Sequence, residues 1–175
     1  METNATPSVT TTSVGVRYGL LTGVISIIFS FILFVTQTDQ SPVRWLGLVI
    51  LIGGMVLAHN AYKAANYGFM NYSEGLGIGA VMSIVSGTLS TAFSFVYMKF
   101  IDPEYMSRVM DTTRTKMEEK GGMSDEQIDQ AVNMMQKFSS GGWMVLFGIL
   151  GSLLFGFLIA LVVSAITKNS KPEFE

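Results

Sequence analysis

The sequence predicts an all-α fold: an integral membrane four-helix bundle with an extramembrane amphipathic helical hairpin between the third and fourth spans. Charged residues make up only 14% of the 175-residue chain and hydrophobic residues 49%, whereas an ordinary soluble domain carries about 25% charged residues. Four long apolar runs each approach the roughly 20 residues that cross a bilayer. A charged stretch with helical periodicity separates the last two runs. These features predict one compact unit whose main partner is the lipid bilayer.

The four spans are predicted at residues 18–36, 45–62, 75–100 and 143–166. Inside lipid each backbone N–H and C=O must be paired within its own segment, so runs of this length are interpreted as helices. Buried helices of a soluble protein are rejected because the chain has too little polar surface to cover four such runs. Both tryptophans, Trp45 and Trp143, fall at predicted helix ends, where amphipathic rings prefer the headgroup zone.

The predicted domain organisation is simple. A flexible polar leader, residues 1–15, precedes a single transmembrane domain, residues 16–168, and a polar tail follows at residues 169–175. The first apolar run is interpreted as a retained helix. A cleaved signal peptide needs a positively charged start and a small-residue cleavage site, and residues 1–13 contain no Lys or Arg.

Residues 102–140 form the predicted insertion between the last two spans. Asp102 followed by Pro103 is typical of a helix start, and the glycine pair 121–122 predicts the end of that helix. Ser124 with Gln127 predicts a capping box at the start of a second helix. Apolar residues on both helices form a candidate partner surface: Met106, Met110, Met117, Met134, Met135 and Phe138.

Methionine is frequent, with twelve in the chain, and thioethers are suitable ligands for Cu(I). Copper sites normally add His or Cys, and the insertion contains neither. The favoured interpretation is therefore a soft contact surface between amphipathic helices, or toward lipid or a partner. No cofactor is predicted, and Cu(I) handling is kept as the third functional hypothesis.

Small residues recur every four positions in the third and fourth spans, and the first helix begins the same way. No hydrophobic force drives helices together in lipid, so association relies on close backbone approach, which small residues allow. The favoured interpretation is a helix-packing seam; a pore lining or a contact between protomers is the alternative. The seam residues are Gly75, Gly79, Ser83, Gly87, Thr91, Gly148, Ser152, Gly156, Ala160 and Ser164.

Three polar residues near the ends of spans form a candidate polar site: His59, Asn60 and Glu74. Ionisable residues within a span are costly and are functional candidates by default. The favoured interpretation is that His59 reaches interfacial water, since its own helix offers no carboxylate partner. Glu74 is expected to cap the third helix and complement its dipole rather than to act as a transport carboxylate.

Composition excludes several classes of function. The chain has no cysteine, so disulfides, thiolate metal sites and cysteine nucleophiles are excluded. Its eleven Lys and Arg residues are scattered and form no basic stripe for nucleic acid. No catalytic constellation is visible, and no enzyme is expected. An even number of spans places both termini on one side. A count of all basic residues on each side favours a cytoplasmic insertion, whereas the residues that immediately flank the spans favour cytoplasmic termini, which is the orientation preferred here.

Several segments resemble a family of four-span membrane proteins that is common in Bacteroidota and is catalogued as a domain of unknown function, the DUF4199 group. The more specific segments are residues 101–104 (Ile-Asp-Pro-Glu) and 123–127 (Met-Ser-Asp-Glu-Gln), with the stretch 71–79 and the glycine-rich last span beside them. The resemblance covers nearly the whole chain from Val16 onward. It implies a bacterial inner-membrane protein with cytoplasmic termini, and it implies no activity and no site residues.

Two functional hypotheses lead. The first is a non-enzymatic structural or partner-binding subunit that uses residues 102–140 to bind a membrane protein or a second copy of itself. The second is a small oligomeric channel or transporter lined by the Gly/Ser/Thr faces of spans three and four. Its motivation is the group of hydroxyls in the third span, which can also bond back onto their own helix: Ser83, Ser86, Thr88, Ser90, Thr91 and Ser94.

Overall fold

The computed structural model describes residues 9–139 and 141–171. This part of the chain is helical and has no strand, only an isolated β-bridge between Met70 and Asn169. The all-α class predicted from the sequence is confirmed. The helices are α1 (Thr11–Val35), α2 (Leu46–Ala65), α3 (Tyr72–Val96), α4 (Tyr105–Lys120), α5 (Asp125–Ser139) and α6 (Gly142–Thr167).

Four helices, extended by short turns at two of their ends, are long and apolar enough to cross a membrane. A 3-10 turn, Pro42–Trp45, leads into α2, and a π-helical turn, Tyr97–Ile101, extends α3. The four candidate spans are Thr11–Val35, Pro42–Ala65, Tyr72–Ile101 and Gly142–Thr167. They coincide with the four predicted spans to within a few residues, except at the start of α1.

The first helix begins earlier than its apolar run. Thr10 caps α1, since its hydroxyl oxygen accepts the Ser13 N–H at 3.1 Å. Residues 11–15 of the predicted flexible leader are therefore helical, because a Thr cap with short polar residues behind it starts a helix without apolar periodicity. Residues 1–8 of that leader and residues 172–175 of the predicted tail lie outside the described residues.

The chain divides into two compact units. In the first unit, whose described residues are 9–90 and 149–171, the core contains Met55, Ile78 and Met82, all fully buried. Glycines of α1 lie directly against α3: a Cβ added at Gly19 would come within 2.9 Å of the Val85 side chain. Gly15 and Gly23 face Val81 and Leu89 in the same way, and because both numbers rise together α1 and α3 lie side by side and parallel.

The second unit, residues 91–148, contains α4 and α5. The predicted start of α4, with Asp102 as the N-cap, is wrong by two residues, since α4 begins at Tyr105 and its N-cap is Glu104. Asp102 instead forms a turn, accepting the Tyr105 N–H at 3.1 Å through its carbonyl, and its carboxylate pairs with Arg108. This ion pair competes with the N-cap role, because a carboxylate held by a guanidinium is not directed at the helix N–H groups.

The other signals in the insertion are confirmed. Gly121 and Gly122 follow α4 with φ of 64° and 86°, a left-handed conformation that glycine adopts at no steric cost. The capping box is also present, with the Ser124 N–H donating to Gln127 Oε1 at 3.0 Å and the Gln127 N–H donating to Ser124 Oγ at 3.4 Å.

One ion pair joins α4 to α5. Arg114 donates to Asp129 at 2.9 Å across the two helices and to Glu118 at 3.0 Å within α4. The hydrogen bond to Glu118, assisted by the charge of Asp129, raises the pKa of Arg114 above its usual value, so the guanidinium remains charged at any pH suitable for handling the protein. The pairing fixes how the two helices are aligned along their length.

Candidate functional site

A cluster of polar side chains lies in the first unit where α2 ends, α3 begins and α6 ends. We call it the polar cluster and define it by His59, Tyr62, Lys63, Glu74 and Thr167. Each of these residues makes a hydrogen bond between two different helices. The cluster therefore connects three of the candidate spans at one end.

His59 is the centre of the polar cluster, and its side chain is fully buried, with 0% exposure. Its Nε2 lies 3.0 Å from the Gly75 carbonyl oxygen on α3, and its Nδ1 lies 2.7 Å from the Thr167 hydroxyl on α6. A carbonyl only accepts hydrogen bonds, so Nε2 carries a proton. One imidazole thus bridges α3 and α6 from α2.

The Thr167 hydroxyl has a single proton and two possible acceptors. Besides its contact with His59 Nδ1, it lies 2.8 Å from the Val163 carbonyl oxygen, to which it can donate. A neutral His59 accepts that proton at Nδ1, whereas a doubly protonated His59 donates to a hydroxyl that turns to Val163. The protonation of the imidazole and the rotation of the hydroxyl are therefore linked.

The expectation that His59 reaches interfacial water is wrong. The imidazole has no exposed surface because the start of α3 and the end of α6 cover it. Sequence periodicity within α2 could not show this, since both covering elements are distant along the chain. Asn60, the next member of the predicted polar site, is exposed and does not join the polar cluster.

Glu74 has two roles in the structure. It forms a capping box with Asn71, whose N–H donates to Glu74 Oε2 at 2.7 Å while the Glu74 N–H donates to Asn71 Oδ1 at 2.8 Å. Its other carboxylate oxygen accepts the Tyr62 hydroxyl of α2 at 2.9 Å. The residue therefore starts α3 and holds α2 beside it.

The end of α6 is held by two further contacts. Lys63 donates to the Thr167 carbonyl at 3.1 Å, where a cation also complements the negative end of the helix dipole. Met70 and Asn169 exchange backbone hydrogen bonds of 2.8 Å in each direction. Sequence reasoning missed Asn71 and Thr167, although Asn-x-x-Glu before an apolar run is a recognisable capping-box pattern.

The predicted seam residues of the first unit face one another in four pairs. Each pair joins one residue of α3 to one of α6. The two helices are antiparallel, since the partner on α6 lies four residues earlier in the chain for every four residues later on α3. A Cβ added at Gly79 would lie 2.5 Å from the Ala160 Cβ, and one at Gly156 would lie 2.5 Å from the Ser83 Cβ. The four pairs are Gly75 with Ser164, Gly79 with Ala160, Ser83 with Gly156, and Gly87 with Ser152.

Buried hydroxyls of α3 bond to their own helix. Ser83, in the seam, donates to the Gly79 carbonyl at 2.8 Å, and Ser86, which lies against Gly23 of α1, donates to the Met82 carbonyl at 2.7 Å. Ser152 likewise donates to Ile149 at 2.8 Å. Ser164 Oγ is the exception, because within the described residues it is buried without a hydrogen-bond partner.

The last predicted seam residues, Thr91 and Gly148, belong to the second unit. A Cβ added at Gly148 would lie 2.7 Å from the Thr91 methyl carbon. Thr91 and Gly148 are therefore in direct contact, and, as in the four pairs of the first unit, a glycine lies opposite a larger residue.

The candidate partner surface divides into two parts. Four of its methionines, Met106, Met110, Met117 and Met135, are half-buried. Met134 and Phe138 on α5 are exposed, with 61% and 49% of their surfaces accessible. The exposed part is therefore confined to the second half of α5. Among the residues that the structure describes, no group of three or more His, Asp or Glu side chains could hold a metal ion.

Comparison with known protein families matches residues 17–169 to the model described as "Protein of unknown function (DUF4199)". Neither the curated proteins nor the solved structures give a match. The matched segment includes most of the first candidate span, the other three spans, the polar cluster and both helices of the second unit. The chain therefore belongs to the DUF4199 family of proteins of unknown function.

Proposed function

We propose that this protein is a non-enzymatic structural or partner-binding subunit of the bacterial inner membrane. In this proposal α1, α2, α3 and α6 form a four-helix bundle in the bilayer, and α4 and α5 form an extramembrane hairpin, residues 102–140, that binds a second membrane protein. The termini lie in the cytoplasm, so the hairpin lies on the opposite side.

The observation that carries the proposal is the exposed apolar end of α5. Met134 and Phe138 are exposed, and the Phe138 ring lies 5.4 Å from the Phe147 ring, edge to face. Phe147 stacks on Trp143 at 5.9 Å, and both belong to the first two turns of the last candidate span. The exposed patch is thus continuous with side chains that face lipid, which favours a partner that is itself in the membrane.

The charged residues of α4 and α5 support the same assignment. The ion pair of Arg114 with Asp129 joins α4 to α5, and that of Arg108 with Asp102 holds the turn before α4, so neither uses the exposed apolar residues. Aromatic and methionine side chains are enriched at protein interfaces, whereas isolated ion pairs on a surface contribute little affinity. The hairpin therefore offers a preformed scaffold with a small apolar contact region.

Two substitutions that each introduce a carboxylate test this assignment without removing the hairpin. Met134→Glu and Phe138→Glu are each expected to reduce recovery of a co-purifying membrane protein by about tenfold, because a buried unpaired carboxylate is costly in an apolar interface. Asn133→Glu, at an exposed polar position of the same helix, is the matched control and should not change recovery.

A deletion of residues 103–139, with the ends joined by a short linker, tests whether the hairpin as a whole is needed for partner binding. The bundle should still insert into the membrane, and the partner should be lost. Recovery of the same partner from cells that express this deletion would refute the proposal, as would a partner that consists only of further copies of the chain.

The channel alternative receives less support from the geometry. The hydroxyls of Ser83 and Ser86 donate within α3, and both residues lie at close helix contacts, Ser83 against Gly156 of α6 and Ser86 against Gly23 of α1. We therefore expect sealed liposomes containing the protein to show the same ion and solute flux as empty liposomes. Flux that rises with the amount of protein, and that is lost in the Ser86→Val variant, would favour the channel instead.

A further inference from the structure

A groove in the second unit has the composition of a lipid-binding site. It has a volume of about 280 Å³ and is lined by Phe95, Met98, Lys99, Met106, Ser139 and Met144, among others. Apart from Ser139, these are apolar side chains and one cation. We propose that this groove binds an anionic phospholipid, with the phosphate at Lys99 and an acyl chain along Phe95, Met98 and Met144.

The level of the groove along the helices supports a lipid as the occupant. Lys99 lies two residues before the end of the candidate span Tyr72–Ile101, and Met144 is the third residue of the span Gly142–Thr167. Phe95 is one turn deeper in α3 than Lys99. The cation therefore sits at the headgroup level, while the aromatic and thioether side chains lie toward the hydrocarbon, which matches the two parts of a phospholipid.

The position of the Lys99 ammonium supports an anionic headgroup. Lys99 Nζ lies 5.5 Å from the centre of the Phe95 ring and 5.7 Å from that of Phe100, distances at which the rings attract a cation. Among the described residues, no carboxylate forms an ion pair with Lys99. An ammonium held over two rings and without an ion pair in the described part of the chain is available to a phosphate, and a basic residue at this depth favours anionic lipids.

The test uses the full-length protein in a mild detergent, with bound lipid counted by native mass spectrometry. Short-chain phosphatidylglycerol should bind at least about fivefold more tightly than phosphatidylcholine of the same chain length. This factor corresponds to the attraction of about 1 kcal/mol that one lysine near a membrane surface exerts on anionic lipid. Lys99→Gln should remove this difference and Lys99→Arg should keep it. Lys116→Gln, at an exposed lysine of α4, is the control and should change nothing.

A second variant examines the apolar part of the groove. Met144→Trp should fill it and weaken binding of both lipids, which keeps the proposal testable even if Lys99→Gln does not fold. Equal binding of the two lipids by the unmodified protein would overturn the proposal, as would an unchanged preference in folded Lys99→Gln. Displacement of the lipid by an equal concentration of inorganic phosphate would indicate a simple anion site and would also overturn it.

Discussion

Gly156→Ser should destabilise the protein by about 2 kcal/mol, and adding Ser83→Gly should restore most of the loss. The glycine faces Ser83 so closely that a new Cβ would lie 2.5 Å from the Ser83 Cβ. In the double variant serine and glycine simply exchange sides, so the pair keeps its volume. Stability would be measured by unfolding the protein in mixed detergent micelles of increasing sodium dodecyl sulfate content, with tryptophan fluorescence as the signal.

The matched control lies on the same helix. Gly151→Ser adds the same side chain where nothing lies within 4 Å of the new Cβ, so its stability should stay within about 0.5 kcal/mol of the unmodified protein. If Gly156→Ser and Gly151→Ser behave alike, α3 and α6 do not pack in the register described. The same conclusion follows if Ser83→Gly fails to compensate.

His59→Leu should destabilise the protein by about 1–3 kcal/mol, because two buried hydrogen bonds to different helices are lost. These bonds join His59 to the Gly75 carbonyl and to the Thr167 hydroxyl. Loss of the second bond should also loosen the end of α6, so trypsin should cleave after Lys168 several times faster than in the unmodified protein. Both effects would be measured on protein in detergent.

Asn60→Leu provides the control for this prediction. Asn60 neighbours His59 but is exposed, so its replacement removes none of the bonds of the polar cluster and should leave both stability and the cleavage rate unchanged. An unchanged cleavage rate in His59→Leu would contradict the assigned link between His59 and α6, whatever the effect on stability.

The spans could be predicted from the sequence because the requirement for them is local. A run near 20 residues without charge must be helical in lipid, and that alone located α2, α3 and α6 to within three residues, apart from the short turns adjoining α2 and α3. The start of α1 was missed because Thr10 and the residues after it are polar and carry no apolar periodicity. The start of α4 was missed because Arg108 engages the carboxylate of Asp102.

The contact between α3 and α6 was expected from the spacing of small residues, whereas its register was not. Spacing alone allows two antiparallel helices to slide by four residues and keep small residues in contact. In the observed register every pair has a single glycine opposite a larger residue. A slide of four residues would oppose Ser83 to Ala160 and Thr91 to Ser152, pairs without a glycine, so the distribution of glycines carried a signal that spacing did not.

The polar cluster could be predicted least. Its parts come from the ends of α2 and α6 and from the start of α3, and the contact between His59 and Thr167 joins residues separated by 108 positions. Each residue alone has an ordinary explanation at a helix end. Only the folded arrangement shows that the imidazole is buried and that its two nitrogens connect two other helices.

The claim on which the account depends most is that the chain crosses a bilayer four times. The sequence has no cysteine, so single cysteines can be introduced and labelled in sealed vesicles with a membrane-impermeant maleimide. Informative positions are Gln40, Tyr67 and Asn133, all exposed between candidate spans, and Leu154, which is 65% exposed within the last span.

The account predicts that cysteines at positions 40 and 133 react from one side of the membrane and that a cysteine at 67 reacts only from the other. A cysteine at 154 should remain unlabelled from both sides, because lipid covers it. Labelling of positions 67 and 133 from the same side, or rapid labelling of position 154, would contradict four transmembrane helices.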